Sequence, residues 1–373
     1  MNPKTTATRP IEKVAVHERP DLDEILGLWL LKKFGQSLFP GIEKAEIIFW
    51  GLGEVANFNE AEWPNTKFIG VPRSKLDEHP TSDSVRKKDE CAATLIFQEL
   101  MRAHCIDDLS AEALQRLLAF TKDEDINAGR GEYELPSLVK TRHQSNPEDP
   151  QGVIERTLAD ITDIYKRQYD FLSKVREEFV MKTERNVVCL REGYEVNVGW
   201  IRSDQEDLDK ASRMKSNGDF AVFIQFRSSG NWQITTNIRH GVRLNEVVRV
   251  LRYEEQKKRY GKQGVVTWNW DDLEREGTVE GCLNIYYQPK GEMILNGSKK
   301  HPNVEPTVLT LEEIVKIVLE TLDYKSFEPS RCAKCLQGKC TSTRVTPCEW
   351  FERGLRRCRK LQQFRKEVRK IWR

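Results

Sequence analysis

One short stretch near the start of the chain combines residue types that bind divalent metal ions. His17, Asp21 and Asp23 follow a run of apolar residues and precede a helical pattern. At the carboxyl edge of a parallel sheet, such strand-to-helix loops face the ligand crevice. Two carboxylates with one imidazole suit Mn²⁺ or Mg²⁺ better than a structural zinc ion. The competing interpretation is structural, since Pro20 and Asp21 could simply begin and cap the helix.

Two further acidic clusters follow along the chain. The first, Asp77-Glu78-His79, comes after the third predicted strand, and the second, Asp123 with Asp125, comes after a predicted helix over residues 111–120. The chain holds only six histidines, and two of them, His17 and His79, belong to the three clusters. Because hard oxygen ligands and imidazole recur together, the grouping strengthens the expectation of a metal site.

The order of the three clusters resembles the DHH phosphoesterase superfamily. That family opens with a strand-end histidine and two aspartates at the spacing of His17, Asp21 and Asp23, and its Asp-His-His motif is similar to Asp77-Glu78-His79. The resemblance covers about residues 13–322. The further segments that are similar to the branch containing the melanocyte-proliferating-gene exonucleases are 87–95, 123–127 and 294–302.

The resemblance implies two domains with an active site between them. It also implies two metal ions that activate a water and stabilise the leaving oxygen of a phosphate ester. Asp77 would be a ligand or would orient His79. The ligands implied by the family are His17, Asp21, Asp23, His79 and one of Asp123 or Asp125, and the implied catalytic residues are Asp21, Asp23, Asp77 and His79.

Two positions depart from the family pattern. Glu78 stands where the family has its middle histidine. The family usually has an aspartate that bridges both metals at the end of the second or third strand, but residues 49–54 and 68–71 contain none. Glu54 could take its place, or the site holds one metal, or the enzyme is weak or inactive.

The family's second domain binds substrate, which directs attention to polar residues after residue 186. Arginines at predicted strand ends could contact phosphate, although exposed loop charge is the simpler interpretation for each. The stretch Asn296-Gly297-Ser298 is compatible with a tight turn or with a loop that contacts substrate. The candidate substrate residues are Arg202, Arg239, His240, Asn296, Ser298 and His301.

Strands that alternate with helices predict an α/β fold with a mostly parallel sheet, followed by a second, smaller α/β domain. The predicted strands are 13–17, 45–50, 66–71, 195–201, 219–226, 232–238 and 283–288. One predicted helix begins at residue 22 and ends at Gly35, and the others cover 91–103, 111–120, 153–182, 244–256 and 310–322. The expected domains are a metal-binding domain (11–145), a helical linker (146–185), a substrate domain (186–330) and a tail (331–373).

The tail is basic and rich in cysteine. It carries 14 Lys or Arg against 3 Asp or Glu, so that the remainder of the chain is acidic although the whole has a net charge of +2. An anionic partner for the tail and a simply solvated helix are both compatible with this distribution. An apolar stripe through Leu355 and Cys358 predicts an amphipathic helix, with Arg357 and Lys360 on its basic face.

Four closely spaced cysteines open this tail. Thiolates at short spacing can close a tetrahedral zinc site, and the alternatives are free thiols or a redox or iron–sulfur site. Cys358 falls on the apolar stripe and is expected in the core instead. The candidate zinc ligands are Cys332, Cys335, Cys340 and Cys348.

Composition narrows the class of protein. No apolar run approaches the ~20 residues of a membrane-spanning helix. The first ten residues lack the apolar core of a secretory signal, and the scattered cysteines resemble reduced thiols of a cytoplasmic protein. The expected function is metal-dependent hydrolysis of a phosphate ester, as a nuclease or phosphodiesterase acting on nucleic acid or a nucleotide. The alternatives are a non-catalytic nucleic-acid-binding protein with a degraded site and a small-nucleotide or polyphosphate phosphatase.

Overall fold

The chain forms two compact units, Met1–Ser173 (unit 1) and Lys174–Arg373 (unit 2), in a computed structural model. Each unit has its own sheet and is described separately. The structure describes residues 9–51, 58–76, 90–127, 131–267, 269–297, 301, 303–343 and 345–361.

Unit 1 combines short strands with longer helices. In chain order the elements are β1 (Lys13–His17), α1 (Leu22–Phe34), β2 (Glu46–Trp50), β3 (Thr66–Phe68), α2 (Ala92–Arg102), α3 (Asp108–Asn127), α4 (Leu135–Ser145) and α5 (Pro150–Asp170). Among the described residues, no helix combines the length and apolar character needed to cross a membrane.

The sheet of unit 1 is parallel, with the order β2-β1-β3. Its central strand β1 buries Val14, Ala15 and Val16 completely, as expected for a strand covered on both faces. His17 and Trp50 pair at the carboxyl ends of β1 and β2. Since β2 and β3 lie on opposite sides of β1, the carboxyl end of β1 is the point where ligands bind in open α/β sheets.

Helix α1 is the centre of unit 1. Every residue from Leu22 to Leu31 is buried, and α1 packs against α2, α3, α4 and α5. An apolar side was expected, but the helix is covered all round, which suits its nearly continuous apolar sequence. Gly35 ends α1, as predicted from the sequence. A rigid, buried helix therefore carries the residues that follow His17.

Unit 2 is built around a larger sheet. Its elements are α6 (Arg176–Lys182), β4 (Glu184–Cys189), β5 (Glu195–Arg202), α7 (Leu208–Ser212), β6 (Val222–Phe226), β7 (Trp232–Thr236), α8 (Asn245–Tyr260), α9 (Trp270–Leu273), β8 (Gly277–Val279), β9 (Cys282–Gln288), β10 (Met293–Asn296), α10 (Leu311–Leu322), α11 (Cys332–Leu336) and α12 (Glu349–Glu352).

The seven strands of unit 2 run in the order β4-β5-β6-β7-β10-β9-β8. Among the described strands only the β5–β6 pair is parallel, so this sheet is mixed and not mostly parallel. Helix α8 packs against α10 and β9. The second domain was expected to be the smaller one, yet it carries the larger sheet. The expected size was too small because three of the strands, β4, β8 and β10, were not predicted from the sequence.

The last described segment is part of the core of unit 2. Cys348, Trp350, Leu355 and Cys358 belong to the same buried cluster as the sheet and α10. The core position predicted for Cys358 is therefore confirmed. These side chains of the predicted tail (331–373) therefore fill the core of unit 2.

Two other predictions about helices need correction. The expected continuous tail helix is broken at Gly354, which has φ +73° and lies so close to Trp270 that a Cβ would approach its ring to 2.6 Å. Arg357, expected on a basic surface, is buried: its guanidinium stacks on Trp350 and donates to the Thr321 carbonyl. A cation that binds backbone carbonyls inside the core is not available to a nucleic acid.

Candidate functional site

His17 is held by an acidic neighbour at the end of β1. Its Nδ1 contacts Glu24 Oε1, and its backbone N–H donates to Glu24 Oε2 at 3.0 Å. Burial raises the pKa of the Glu24 carboxyl, and the hydrogen bond with His17 opposes that rise. A carboxylate on one ring nitrogen fixes the orientation of a histidine, so a metal ion would be bound through Nε2.

Asp21 has the capping role that was the competing interpretation. It is the N-cap of α1, and its Oδ1 accepts from the Glu24 N–H at 3.1 Å. A cap uses one carboxylate oxygen and leaves the side chain at the helix end. Asp21 is exposed there, so capping and ligand binding are compatible at this residue.

Asp23 is buried and caps a different helix. Its Oδ2 accepts from the Ala92 N–H and its Oδ1 from the Ala93 N–H, both at 2.9 Å, at the start of α2. Burial first and then the nearby charge of Asp23 raise the pKa of the Cys91 thiol. Both carboxylate oxygens of Asp23 therefore bind the backbone at the start of α2 and connect α1 with that helix.

These carboxylates share one cleft with the end of α3. The cleft has a volume of about 490 Å³. The helix predicted to stop at residue 120 continues to Asn127, so Asp123 and Asp125 lie within α3 and do not follow it. Asp125 lines the cleft, whereas Asp123 accepts from the Asn127 side chain at 2.7 Å. The charged residues that line the cleft are Arg19, Asp21, Asp23, Glu124, Asp125 and Lys140.

Sequence analysis missed four residues of this edge: Glu24, Thr121, Glu124 and His143. The buried His143 ring places Nε2 3.0 Å from the Pro20 carbonyl and thereby fixes the loop before Asp21. The Thr121 hydroxyl is buried in the cleft wall and has no hydrogen-bond partner among the described residues. Only the rarity of histidine pointed toward His143; nothing local pointed to the others.

A glycine makes room for the Glu24 carboxylate. Gly70 follows β3 and has φ +64°. A Cβ at this position would lie 2.9 Å from Glu24 Oε1. Both the backbone conformation and the space therefore require glycine here. The fit of Glu24 against His17 depends on the carboxyl end of β3.

The described residues supply at most part of a metal centre. Within the described ranges, no three His, Cys, Asp or Glu side chains converge closely enough to hold a metal ion. Three of the predicted ligands, Glu54, Asp77 and His79, lie outside the described residues. The hard oxygen donors at the cleft suit Mn²⁺ or Mg²⁺, but completing their coordination requires those further residues.

Three of the predicted substrate residues of unit 2 pair with neighbouring acids. Arg202 pairs with Glu312 at 2.9 Å and lies over the ring of Phe226. Arg239 and His240 both reach Asp219, at 2.9 and 3.3 Å. The structure therefore brings Arg239 and His240 together, while Arg202 belongs to a separate ion pair.

Asn296 cannot contact a substrate. It is completely buried, and its amide donates to the carbonyls of Asn284 and Glu305 at 2.7 and 3.0 Å. The prediction of a substrate role is corrected for this residue, because its side chain joins backbone segments inside unit 2. His301 is exposed, and Ser298 lies outside the described residues.

No protein-family model and no curated protein matches the chain. The candidate site is therefore defined by its own residues. It consists of the His17–Glu24 pair and of the cleft that the two capping aspartates, Asp21 and Asp23, share with Asp125.

Proposed function

We propose that this protein is a divalent-metal-dependent phosphoesterase that acts as a nuclease or phosphodiesterase. One observation carries the proposal: acidic residues from α1 and α3, distant in sequence, line a single cleft at the carboxyl end of the central parallel strand. Ligand sites of open α/β sheets lie at this edge. Clustered carboxylates beside an oriented histidine are the donor set for a hard divalent cation.

The residues have distinct roles in this proposal. A bound Mn²⁺ or Mg²⁺ supplies a water of lowered pKa and neutralises phosphate charge. Glu24 keeps His17 in one orientation, and Asp21 and Asp125 contribute carboxylates from two sides of the cleft. Arg19 and Lys140 place positive charge at the same cleft, where it favours the oxygens of a phosphate ester. Glu54, Asp77 and His79 are proposed as the remaining ligands.

A second candidate function has its own supporting observation. Both oxygens of Asp23 bind backbone N–H groups of α2, which is a structural use of a carboxylate that the family resemblance makes a metal ligand. The described ends of β2 and β3 also lack the bridging aspartate. A non-catalytic protein that binds nucleic acid through a degraded site would keep such an arrangement.

The test is hydrolysis of single-stranded RNA, single-stranded DNA and a small chromogenic phosphodiester, with Mn²⁺ or Mg²⁺ titrated into chelator-treated protein. His17→Ala removes the proposed ligand, and His104→Ala serves as the matched control because His104 is exposed in the same unit. We expect metal-dependent turnover in the parent and the control and its loss in His17→Ala. Binding of RNA or DNA without turnover in the parent supports the second candidate, and neither binding nor turnover refutes both.

A further inference from the structure

The segment 332–348 has an inverted pattern of burial. Its aliphatic residues Leu336 and Val345 are 64% and 90% exposed. By contrast, Cys335, Cys340 and Cys348 are buried, and Cys332 is partly buried. A segment that folded by burying apolar surface would place its aliphatic residues inside. Here the thiols occupy the interior, so the burial of aliphatic surface does not hold this segment together.

Hydrogen bonds fold the segment around these thiols. Gly338 N–H donates to the Cys335 carbonyl at 2.9 Å, which closes a tight turn between Cys335 and Cys340. Cys348 N–H donates to the Ser342 hydroxyl at 3.0 Å and closes the second turn. The turns place the cysteines in one small region: after burial, the largest influences on the raised pKa of Cys335 are Cys340, Cys348 and Cys332.

We propose that Cys332, Cys335, Cys340 and Cys348 bind a structural Zn²⁺ ion. Four thiolates are the complete ligand set of a closed tetrahedral zinc site. All nine cysteines are among the described residues, and none of them forms a disulfide. No three of these side chains are already close enough to hold an ion within the described ranges, and the loops must tighten around it, as short zinc-binding segments do.

Cys358 is not a ligand of this site. It lies beyond the helix break at Gly354, and the four preceding thiolates already complete a tetrahedral site. Its thiol lies near the proposed ligands, since Cys348, Cys335 and Cys340 all influence its pKa. This residue provides a matched control: a buried cysteine in the same segment that should leave metal binding unchanged.

The zinc ion would secure the chain immediately before it enters the core. Trp350 is buried two residues after Cys348. Arg353 then pairs with Glu254 at 2.8 Å and Glu320 at 2.6 Å, which connects the segment to α8 and α10. Zinc binding and the packing of this last segment against unit 2 are therefore coupled, and loss of the ion should loosen unit 2.

The first experiment measures metal in the full-length protein. The chain is produced in zinc-supplemented medium, and its zinc, iron and manganese contents are determined by mass spectrometry. Replacement by Co²⁺ gives a readout specific for sulfur ligands, because cobalt bound by thiolates absorbs in the near ultraviolet. We expect one zinc per chain and this absorption in the parent. Bound iron with visible absorption, or no thiolate-bound metal at all, overturns the proposal.

Variants locate the site. Cys335→Ser should reduce zinc content at least about tenfold and lower the melting temperature of unit 2, whereas Cys358→Ala should keep full zinc content. If Cys335→Ser does not fold, the cobalt spectrum of the parent still decides. Equal zinc loss in both variants refutes the ligand assignment. Because all four ligands lie in unit 2, a failed zinc test is distinguishable from failure of the proposed hydrolysis in unit 1.

Discussion

Helix α8 of unit 2 and the strand end at His17 of unit 1 both bury charged side chains. In α8, Arg252 is completely buried and its guanidinium donates to four carbonyls, those of Leu273, Arg275, Gly277 and Ile285. Glu255, one turn later, accepts from Arg259 and Asn284 at 2.8 Å and also from Thr307. Each charge in this network is surrounded by protein groups.

The strand end of unit 1 is arranged differently. Glu24 and Asp23 are buried, but Asp21 is exposed and shares a cleft with Asp125. Burial of a charged side chain therefore does not by itself indicate a functional site. The distinguishing property is whether charged groups also face a space that a ligand can enter. By this criterion the buried Arg252–Glu255 network of α8 is structural, and the edge of β1 is the candidate site.

The largest expected effect is on the closed network of unit 2. Arg252→Met keeps much of the volume but leaves four buried carbonyls without their donor. We expect a loss of about 3 kcal/mol or more in the free energy of unfolding. Calorimetry measures it, with Arg191→Met as the control at an exposed arginine. A change below about 1 kcal/mol would show that water replaces the guanidinium and that the network is not closed.

Alkaline pH should destabilise the same unit. Burial raises the pKa of Cys282 and of Tyr253 to about 12. A group with a raised pKa keeps its proton when folded and releases it when unfolded, so its stabilising contribution is complete below the ordinary pKa and is lost as pH rises toward 12. Above about pH 9, the ionisation of Cys282 in the unfolded chain should lower the free energy of unfolding by about 1.4 kcal/mol for each pH unit.

The measurement for this second prediction is the melting temperature between about pH 8 and pH 11. Cys282→Ala should flatten the decline, whereas Cys105→Ala, at a partly exposed cysteine of unit 1, should not. An identical slope in all three proteins would mean that the Cys282 thiol ionises without unfolding the unit.

Asp23 provides the third prediction and sharpens the contrast within unit 1. Asp23→Ala removes the acceptor of two backbone N–H groups and should cost about 2 kcal/mol of unfolding free energy, together with loss of metal-dependent hydrolysis. Asp23→Asn keeps one acceptor and should be less destabilising. Urea unfolding of both variants measures this order. If Asp23→Ala is as stable as the parent, the contacts with Ala92 and Ala93 do not anchor α2.

The smallest effect on stability is expected at Asp21. Asparagine caps a helix as well as aspartate, so Asp21→Asn should change the free energy of unfolding by less than about 0.5 kcal/mol. Its loss of negative charge should lower hydrolysis by about two orders of magnitude if Asp21 binds the metal. Rate and urea unfolding are measured on the same preparation. Parental activity in Asp21→Asn would leave Asp21 as a helix cap alone.

The elements that sequence reasoning located are those with strong apolar patterns. The strand 13–17 was predicted with its observed limits, and the helix predicted over 310–322 is observed as Leu311–Leu322. Strands β8 and β10, with three and four residues, are too short to show a period. The polar residues of α8 were beyond prediction because the partners of Arg252 lie 21 to 33 residues away.

In the candidate site, too, local features could be predicted from the sequence and long-range contacts could not. Asp21 and Asp23 could be placed at a helix start because a strand, a loop and a helix follow one another locally. The second helix that Asp23 caps could not be foreseen, since Ala92 lies 69 residues away. His143 and Thr121 reach the cleft only through the packing of α3 and α4, and no spacing in the sequence encodes that packing.

Glu24 and Gly70 are linked in a way that bears on how this sequence can evolve. Any side chain at position 70 would displace the carboxylate that holds His17, and a shorter acid at position 24 would no longer reach it. A substitution at either position alone would disturb the contact between Glu24 and His17, so we expect the two residues to be kept together or replaced together. We therefore expect a glutamate in the first turn of the first helix and a glycine just after the third strand to occur together in distant relatives, separately from the His-Asp-Asp motif.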